Sequence, residues 1–479
     1  MKLTSWSYSV IVLCSVLMSS NCFWNASARA EIGAVFVMTN STNPVRGNEI
    51  AMYDRSMNGD LQLVGFFPTG ELGAGKPQLG SGPSPTAQIF KIKSNGPLLA
   101  ANLDGLGSSN SLILSPDKRC LYAVNAGSNS LSSFKVEGNG LNLISIENSH
   151  GVLPVSLTIS RGVLFVLNSG QEDNLAANLA AFQVSSDCQL RPLAGSVVSL
   201  SRLTDTFFPP VPGEGLTTPA QVSFSPDGRL LVVSIKGGNA TFGSMVVFPV
   251  VGKGVLGAPT VTPFRINANI AGPFSFVFVG SRTLVIVNAI TSTVASFFIN
   301  ASNQLTLLNI TPVKIAHFAP CWIVRSANYV YTASFGAPSG ARQLAGEGAG
   351  LPDLDGTIDG FRILKGGQLS PNHVVEVNFP PPGKGRTGNH GIDMTVIDNW
   401  LYFIEPRIGM IGRLTINSQT GSLSNLVDFA GLDPSLEPYP KLNPGINNFL
   451  TRCFLQDPNA PAGISPECRL GSAQGITGF

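Results

Sequence analysis

The sequence predicts an all-β fold, a seven-bladed β-propeller of four-stranded antiparallel blades, and three observations predict it. A strand–strand–strand pattern of similar length recurs seven times, over 33–64, 110–144, 155–193, 221–256, 274–308, 321–370 and 391–426. Two of these units carry the same turn between their first two strands, Ser115-Pro116-Asp117-Lys118-Arg119 and Ser225-Pro226-Asp227-Gly228-Arg229. Charged residues make up only 12% of the 479, glycines number 52, and no long stretch has an amphipathic helical period. Self-similarity at a spacing of roughly 40–50 residues, four short strands to a unit, is what blades around a common axis produce. Val/Leu/Ser-rich strands with few charges suit blades that bury both faces against their neighbours.

Taken in order, the chain opens with Lys2, an apolar core from Val10 to Met18 and the small-residue ending Ala28-Arg29-Ala30. That order is the one of a secretory signal peptide, 1–30, cut after Ala30. The apolar run is shorter than the about 20 residues that cross a bilayer, which makes a signal anchor the weaker reading. Residues 31–452 are read as the propeller and 453–479 as an irregular tail. The first unit starts abruptly at Gly33-Ala34-Val35-Phe36-Val37-Met38, a run that matches the second strand of the others, so its innermost strand is missing. A strand borrowed from the far end of the chain would close the ring and leave no open edge, and Gly445–Leu450 could serve.

After the predicted cut five cysteines remain, at 120, 188, 321, 453 and 468, so at least one stays outside an intramolecular bridge. Cys453 and Cys468 are expected to pin the Pro/Gly-rich tail. Cys120 and Cys188, in adjacent units, are a candidate second pair, and Cys321 beside Trp322 is expected as a buried thiol. Four sequons, at Asn40, Asn239, Asn300 and Asn309, agree with secretion if the source is eukaryotic.

Strand order assigns every loop to a face. In an antiparallel blade the first–second and third–fourth turns lie at one end; the second–third turns and the links between blades lie at the other. Long connections fall mostly on this second face: the links of about 65–109 and 194–220, and an insertion of about 337–356 in the sixth unit. Insertions crowded onto one face point to a functional mouth there.

With the units placed, the chain resembles the lactonase-type seven-bladed propellers, the family of bacterial 6-phosphogluconolactonase and fungal carboxymuconate cyclase, and within it a secreted branch. The likeness rests on Gly33 to Asn40, Leu112 to Gly127, Pro154-Val155-Ser156-Leu157, Pro219 to Arg229 and Ala319-Pro320-Cys321-Trp322, with the Gly-rich Gly70 to Gly80, and spans most of 33–430. It implies a propeller that opens or forms a lactone. The resemblance also implies a histidine-rich stretch before the fourth unit's Ser-Pro-Asp-Gly turn. Here that stretch reads Thr217-Thr218-Pro219-Ala220-Gln221, with no histidine.

Three of the four histidines, His150, His317 and His390, fall in links between blades, with Arg202, Arg265, Lys314, Lys384 and Arg386 in the same class of loop. Lys236 and Glu405 stand at the ends of second strands, at the same mouth. Lactone chemistry needs a base to activate water and a cation or donor to hold the developing oxyanion. His150, His390 and Arg386 are therefore the catalytic candidates, and His317, Lys236, Glu405, Arg265 and Gln221 the ligand-binding ones. No H-x-H or HExxH spacing supports a metal, and no cofactor is expected. Asp353-Leu354-Asp355-Gly356-Thr357-Ile358-Asp359 lacks the closing Glu of a calcium loop and reads as an Asp-Gly turn. Gly70-Glu71-Leu72-Gly73-Ala74-Gly75-Lys76 lacks the GK[ST] of a phosphate loop. A net charge of +2 and the lack of a basic stripe argue against nucleic acid. Two functions follow: a secreted monomeric lactonase-like propeller acting on a small anionic or lactone ligand, or a non-catalytic extracellular binding propeller that has lost the family's histidines.

Overall fold

The computed structural model describes residues 31–74, 106–170, 177–200, 219–236, 243–264, 269–313, 320–334, 356–378, 391–405, 410–430 and 473–479. They form seven antiparallel sheets, each one blade. The innermost strands are Ile476–Gly478 in blade 1, Leu112–Leu114 in blade 2, Pro154–Ser160 in blade 3 and Pro219–Phe224 in blade 4. Pro273–Phe278, Pro320–Ser326 and Ile392–Ile397 complete the set in blades 5, 6 and 7. Each touches the next and the last touches the first, so the ring is closed. In blades 3 and 4 the outermost strand is broken into two short pieces, both paired to the third strand. The seven expected units coincide with the seven blades, the strands running a few residues further.

Burial falls off from the axis outward. The second strands Cys120–Asn125, Val163–Asn168, Leu230–Ile235 and Tyr329–Ser334 are buried at every position. They sit in mid-blade with another blade against each face, which is why they read as continuous apolar runs and not as alternating ones. An outermost strand such as Gly140–Asn148 has no fully buried residue. Burying a Val, Leu or Phe contributes about 1.5–3 kcal/mol, so the inner half of each blade carries most of the stabilisation.

The two matching turns are built alike. Ser115 Oγ donates to Asp117 Oδ1 at 2.5 Å, the Arg119 amide donates to the same oxygen, and the Cys120 amide donates to Ser115 Oγ. Ser225, Asp227, Arg229 and Leu230 repeat the pattern. Each turn needs one left-handed residue, Lys118 at φ 61° and Gly228 at φ 66°. In both, the serine hydroxyl first of all holds the Asp117 and Asp227 carboxyls below the usual carboxylate range.

The ring closes through Ile476–Gly478, which pairs with Glu31–Met38 (Val35↔Gly478, Phe36↔Thr477, Val37↔Ile476). The far terminus does supply the missing strand, but from the last residues of the stretch read as an irregular tail. Gly445–Leu450, the segment the sequence offered for this role, lies outside the described residues, as do 1–30, Cys453 and Cys468. Cys120 and Cys188 form a disulfide between blades 2 and 3, and Cys321 is buried outside any disulfide among the described residues. The bridge lies on the face opposite the long links, joining the start of one second strand to a third–fourth turn.

One expected glycan acceptor is corrected by the fold, and a second is hydrogen-bonded at both ends of its amide. Asn40 is fully buried with its Oδ1 accepting from the Ala74 amide. Asn309 Oδ1 accepts from Ser296 Oγ and from the Leu369 amide, while its Nδ2 donates to the Leu369 carbonyl. An N-linked glycan needs a surface amide, which buried Asn40 does not offer. Asn300, partly exposed in a third–fourth turn, keeps a surface position; Asn239 lies outside the described residues.

Candidate functional site: the mouth of the channel

The innermost strands of blades 3 to 6 each begin with proline, and each is bulged within the next residues, between Pro154/Ser156, Pro219/Gln221, Pro273/Phe276 and Pro320/Trp322. A bulge leaves one residue out of the ladder and frees its carbonyl for other partners. Proline fits there because it has no amide to give the ladder. The freed carbonyls are put to two uses. Those of Phe274 and Cys321 accept from Ser234 Oγ at 2.5 Å and Ser275 Oγ at 2.6 Å. Those of Val155 and Ala220 accept from a segment of the chain that lies across the mouth.

Two residues after each proline comes a side chain that ties its blade to the next. Ser156 Oγ accepts from the Val222 amide, and Ser275 Oγ donates to Cys321 O. Gln221 uses both ends of its amide on one residue of blade 5: Nε2 donates to Phe276 O and Oε1 accepts from Phe276 N, each at 2.9 Å. The fourth member, Trp322, turns inward instead, its Nε1 donating at 3.0 Å to Ser108 O.

Ser108 belongs to the segment Leu106–Ser109, which comes from the link into blade 2 and is buried throughout. Its hydrogen bonds reach four other blades. The Leu106 amide donates to Gln474 Oε1 beside blade 1, Ser108 Oγ donates to Val155 O in blade 3 at 2.8 Å, and the Ser109 amide donates to Ala220 O in blade 4 at 3.1 Å. Trp322 in blade 6 and Lys236 in blade 4 donate to the Ser108 and Gly107 carbonyls. A four-residue stretch bonded to blades 1, 3, 4 and 6 must lie over the axis.

Lys236 is the central charge of this mouth. It follows the second strand of blade 4, is fully buried, and sets its Nζ 5.0 Å from the centre of the Phe274 ring. The same ring stands edge-on to Trp322 at 5.4 Å. An ammonium out of water needs oxygen acceptors and a π-face to offset its lost hydration, and it finds both here. Glu405, also fully buried, ends the second strand of blade 7, three blades from Lys236 around the ring.

His150 stands elsewhere. It is exposed, in the left-handed region at φ 57°, with its ring 5.8 Å from that of Phe182 and its carbonyl accepting from Asn178 Nδ2. Both partners sit on the third strand of blade 3, about 10 Å out from the innermost strand at the usual strand spacing. The mouth therefore gathers Lys236 and the neighbourhood of Gln221, while His150 lies on the outer rim. His317, His390, Arg265 and Arg386 lie outside the described residues. Among the described residues no three His, Cys, Asp or Glu come together in a way that could hold a metal ion. Sequence reasoning missed Phe274, Trp322 and Leu106–Ser109 as parts of the mouth. The aligned positions after Pro154, Pro219, Pro273 and Pro320 carry a signal for the first two, since Trp322 replaces a small polar residue there.

Comparison with known proteins agrees with this architecture. The family described as lactonase, 7-bladed beta-propeller, matches residues 85–198. No curated protein matches the chain in sequence. Among solved structures, a candidate 6-phosphogluconolactonase from Bacteroides fragilis is 15% identical, with a TM-score of 0.56 over 85% of this chain and 97% of that one. The periplasmic gluconolactonase of Pseudomonas aeruginosa is 14% identical, with a TM-score of 0.54 over 83% and 95%. A hypothetical selenium-binding protein from Sulfolobus tokodaii, 9% identical, gives 0.52 over 84% and 92%. At these identities the likeness is one of fold, and it extends to a protein with a different label. The closed ring of seven blades makes this chain a seven-bladed β-propeller, similar over residues 85–198 to the lactonase family.

Proposed function

We propose that this propeller is an extracytoplasmic protein that holds a small lactone or sugar acid at the mouth of its channel. The observation that carries this reading is Lys236: a buried ammonium beside the indole N–H of Trp322, both aimed at oxygen acceptors over the Phe274 ring. Two such donors suit a carboxylate or a lactone carbonyl. The Cys120–Cys188 disulfide supports an oxidising compartment, in keeping with the expected secretory leader. Lactone opening or closure would need a base and an oxyanion partner, and His390 with Arg386 carries that part of the proposal. His150, out on the rim, has the weaker claim.

The second reading, a binding propeller without catalysis, is favoured by one specific observation. Gln221, at the stretch where the family resemblance implies histidines, is locked into the blade 4–blade 5 contact by both ends of its amide. Purified protein assayed against a panel of sugar lactones, with gluconate binding followed by calorimetry, separates the two. Lactonase activity is expected to fall at least tenfold in His390→Ala and Arg386→Ala, and gluconate affinity about a hundredfold in Lys236→Met, the loss of a charge-assisted hydrogen bond. Gluconate binding with no turnover of any lactone establishes the binding propeller, and no binding at all abandons both readings.

A further inference from the structure

The mouth is filled by the protein's own chain, and the pattern of that filling describes what else would fit. Leu106–Ser109 presents two acceptors, the Gly107 and Ser108 carbonyls, to Lys236 Nζ and Trp322 Nε1. It also presents two donors, the Ser108 hydroxyl and the Ser109 amide, to the bulge carbonyls of Val155 and Ala220. Nothing in an antiparallel blade requires these contacts. They engage carbonyls that the bulges have taken out of the ladders, and without an occupant each would be a buried polar group lacking a partner, which costs free energy.

From this we infer that Leu106–Ser109 is an internal competitor that occupies the ligand position and is displaced when ligand binds. The inference rests on the binding reading above and deepens it. The displacing molecule must supply acceptor oxygens to Lys236 and Trp322 and hydroxyl donors to Val155 O and Ala220 O. That chemistry belongs to a compact polyhydroxylated acid or its lactone; a bare anion has no donors for the carbonyls, and an apolar ring has neither. The segment is also poised to move. Gly107 and Asn110 hold left-handed conformations, φ 59° and 65°, one inside the segment and one just after it, and these two points can absorb a swing. Below them the Asn110 carbonyl stays tied to the Leu157 amide at 2.8 Å, an anchor the swing does not need to break.

A competitor lowers apparent affinity by the fraction of time the site is open, so weakening it must tighten binding. Two matched measurements test this, with D-gluconate as probe: calorimetric affinity, and the indole N–H resonance of Trp322 in the mature chain labelled with 15N-tryptophan. Gluconate is expected to shift the Trp322 indole signal of the wild-type protein as one acceptor replaces another. Gly107→Val with Ser108→Ala, which strains the left-handed turn and deletes a donor, is expected to shift that signal without ligand and to bind gluconate about tenfold more tightly. Ser108→Ala alone, a milder change, is expected to move both in the same direction. Lys236→Met should weaken gluconate binding about a hundredfold in either background.

The outcomes separate the inference from the reading beneath it. If the segment variants shift the indole signal yet bind gluconate no better, the segment does not compete and the inference falls while the binding reading stands. Gluconate that binds the wild type without moving the Trp322 signal, or binds Lys236→Met normally, occupies some other place and overturns the inference as well. If no variant binds gluconate, gluconolactone or galactonate, the inference falls together with the binding reading.

Discussion

Asp117 and Asp227 carry a pH signature set by their own turns. The hydrogen bond from Ser115 or Ser225 is the largest cause of their lowered pKa, followed by opposing desolvation and then the Arg119 or Arg229 amide. A carboxyl whose folded pKa lies below its unfolded value of about 3.9 contributes stability that is present above that value and is lost as pH falls through the folded one. Ser115→Ala and Ser225→Ala should therefore raise the matching Asp pKa, visible in a carboxyl 13C titration, and make acid unfolding begin at higher pH; an unmoved Asp titration would refute the assignment. Gln221 makes a different demand. Truncation in Gln221→Ala leaves both the amide and the carbonyl of buried Phe276 without that partner, at about 1–3 kcal/mol. Chemical denaturation should register the loss, while gluconate affinity should stay within about threefold, because the amide faces blade 5 and not the mouth.

Among the turns, Ser185-Ser186-Asp187-Cys188 reuses the Ser-x-Asp device: Ser185 Oγ donates to Asp187 Oδ1, the Gln189 amide donates to Ser185 Oγ, and Cys188 at φ 72° takes the place of Gly228. The turn thus presents the cysteine sulfur to Cys120, at the start of a strand in the neighbouring blade. A link spanning 68 residues restricts the unfolded chain. Cys120→Ser with Cys188→Ser should lower stability by about 2–5 kcal/mol, read as a drop in thermal midpoint that a reductant reproduces in the parent protein. Blades of this kind were legible in the sequence because their cues are local: Ser-Pro-Asp turns, apolar second strands, a repeat of similar length. The mouth was only half legible. Lys236 was foreseen because strand order put it at the channel, whereas Leu106-Gly107-Ser108-Ser109 is ordinary loop composition whose meaning arises from contacts with four other blades. His150 was placed on the correct face but at the wrong radius, since strand order fixes the face of a loop and says nothing of how far from the axis its tip settles.

At the scale of the whole ring, stability depends on the one blade made from both ends of the described chain. Ile476–Gly478 supplies only three residue pairs, and the contacts around it do the rest. Phe479 lies 6.3 Å from Phe36 and under Lys118 of blade 2 at 5.5 Å, and its carbonyl accepts from Arg55 Nε. Arg55 in turn pairs with Asp398 of blade 7 at 3.0 Å. The blade 7–blade 1 seam is further clasped by Arg413, which bonds Asp60 and the Asn58 carbonyl while lying 4.6 Å over Trp400, and by Tyr402 donating to Gly59 O. So short a strand was hard to recognise: Ile476-Thr477-Gly478 has no pattern of its own, and its pairing partner is more than four hundred residues away. Removing 473–479 strips Val35, Phe36 and Val37 of their cover and bares the ladder edge of Glu31–Met38, an invitation to edge-to-edge pairing between molecules. The expected result is a loss of about 4 kcal/mol or more from uncovered apolar surface, together with concentration-dependent association in size-exclusion chromatography. A synthetic peptide of residues 473–479 should restore part of the thermal midpoint and suppress the association. Arg413→Ala, which loosens the same seam but keeps the strand, should lower the midpoint without causing association. If the truncated protein melts with the parent and stays monodisperse, the ring does not depend on this strand for its closure.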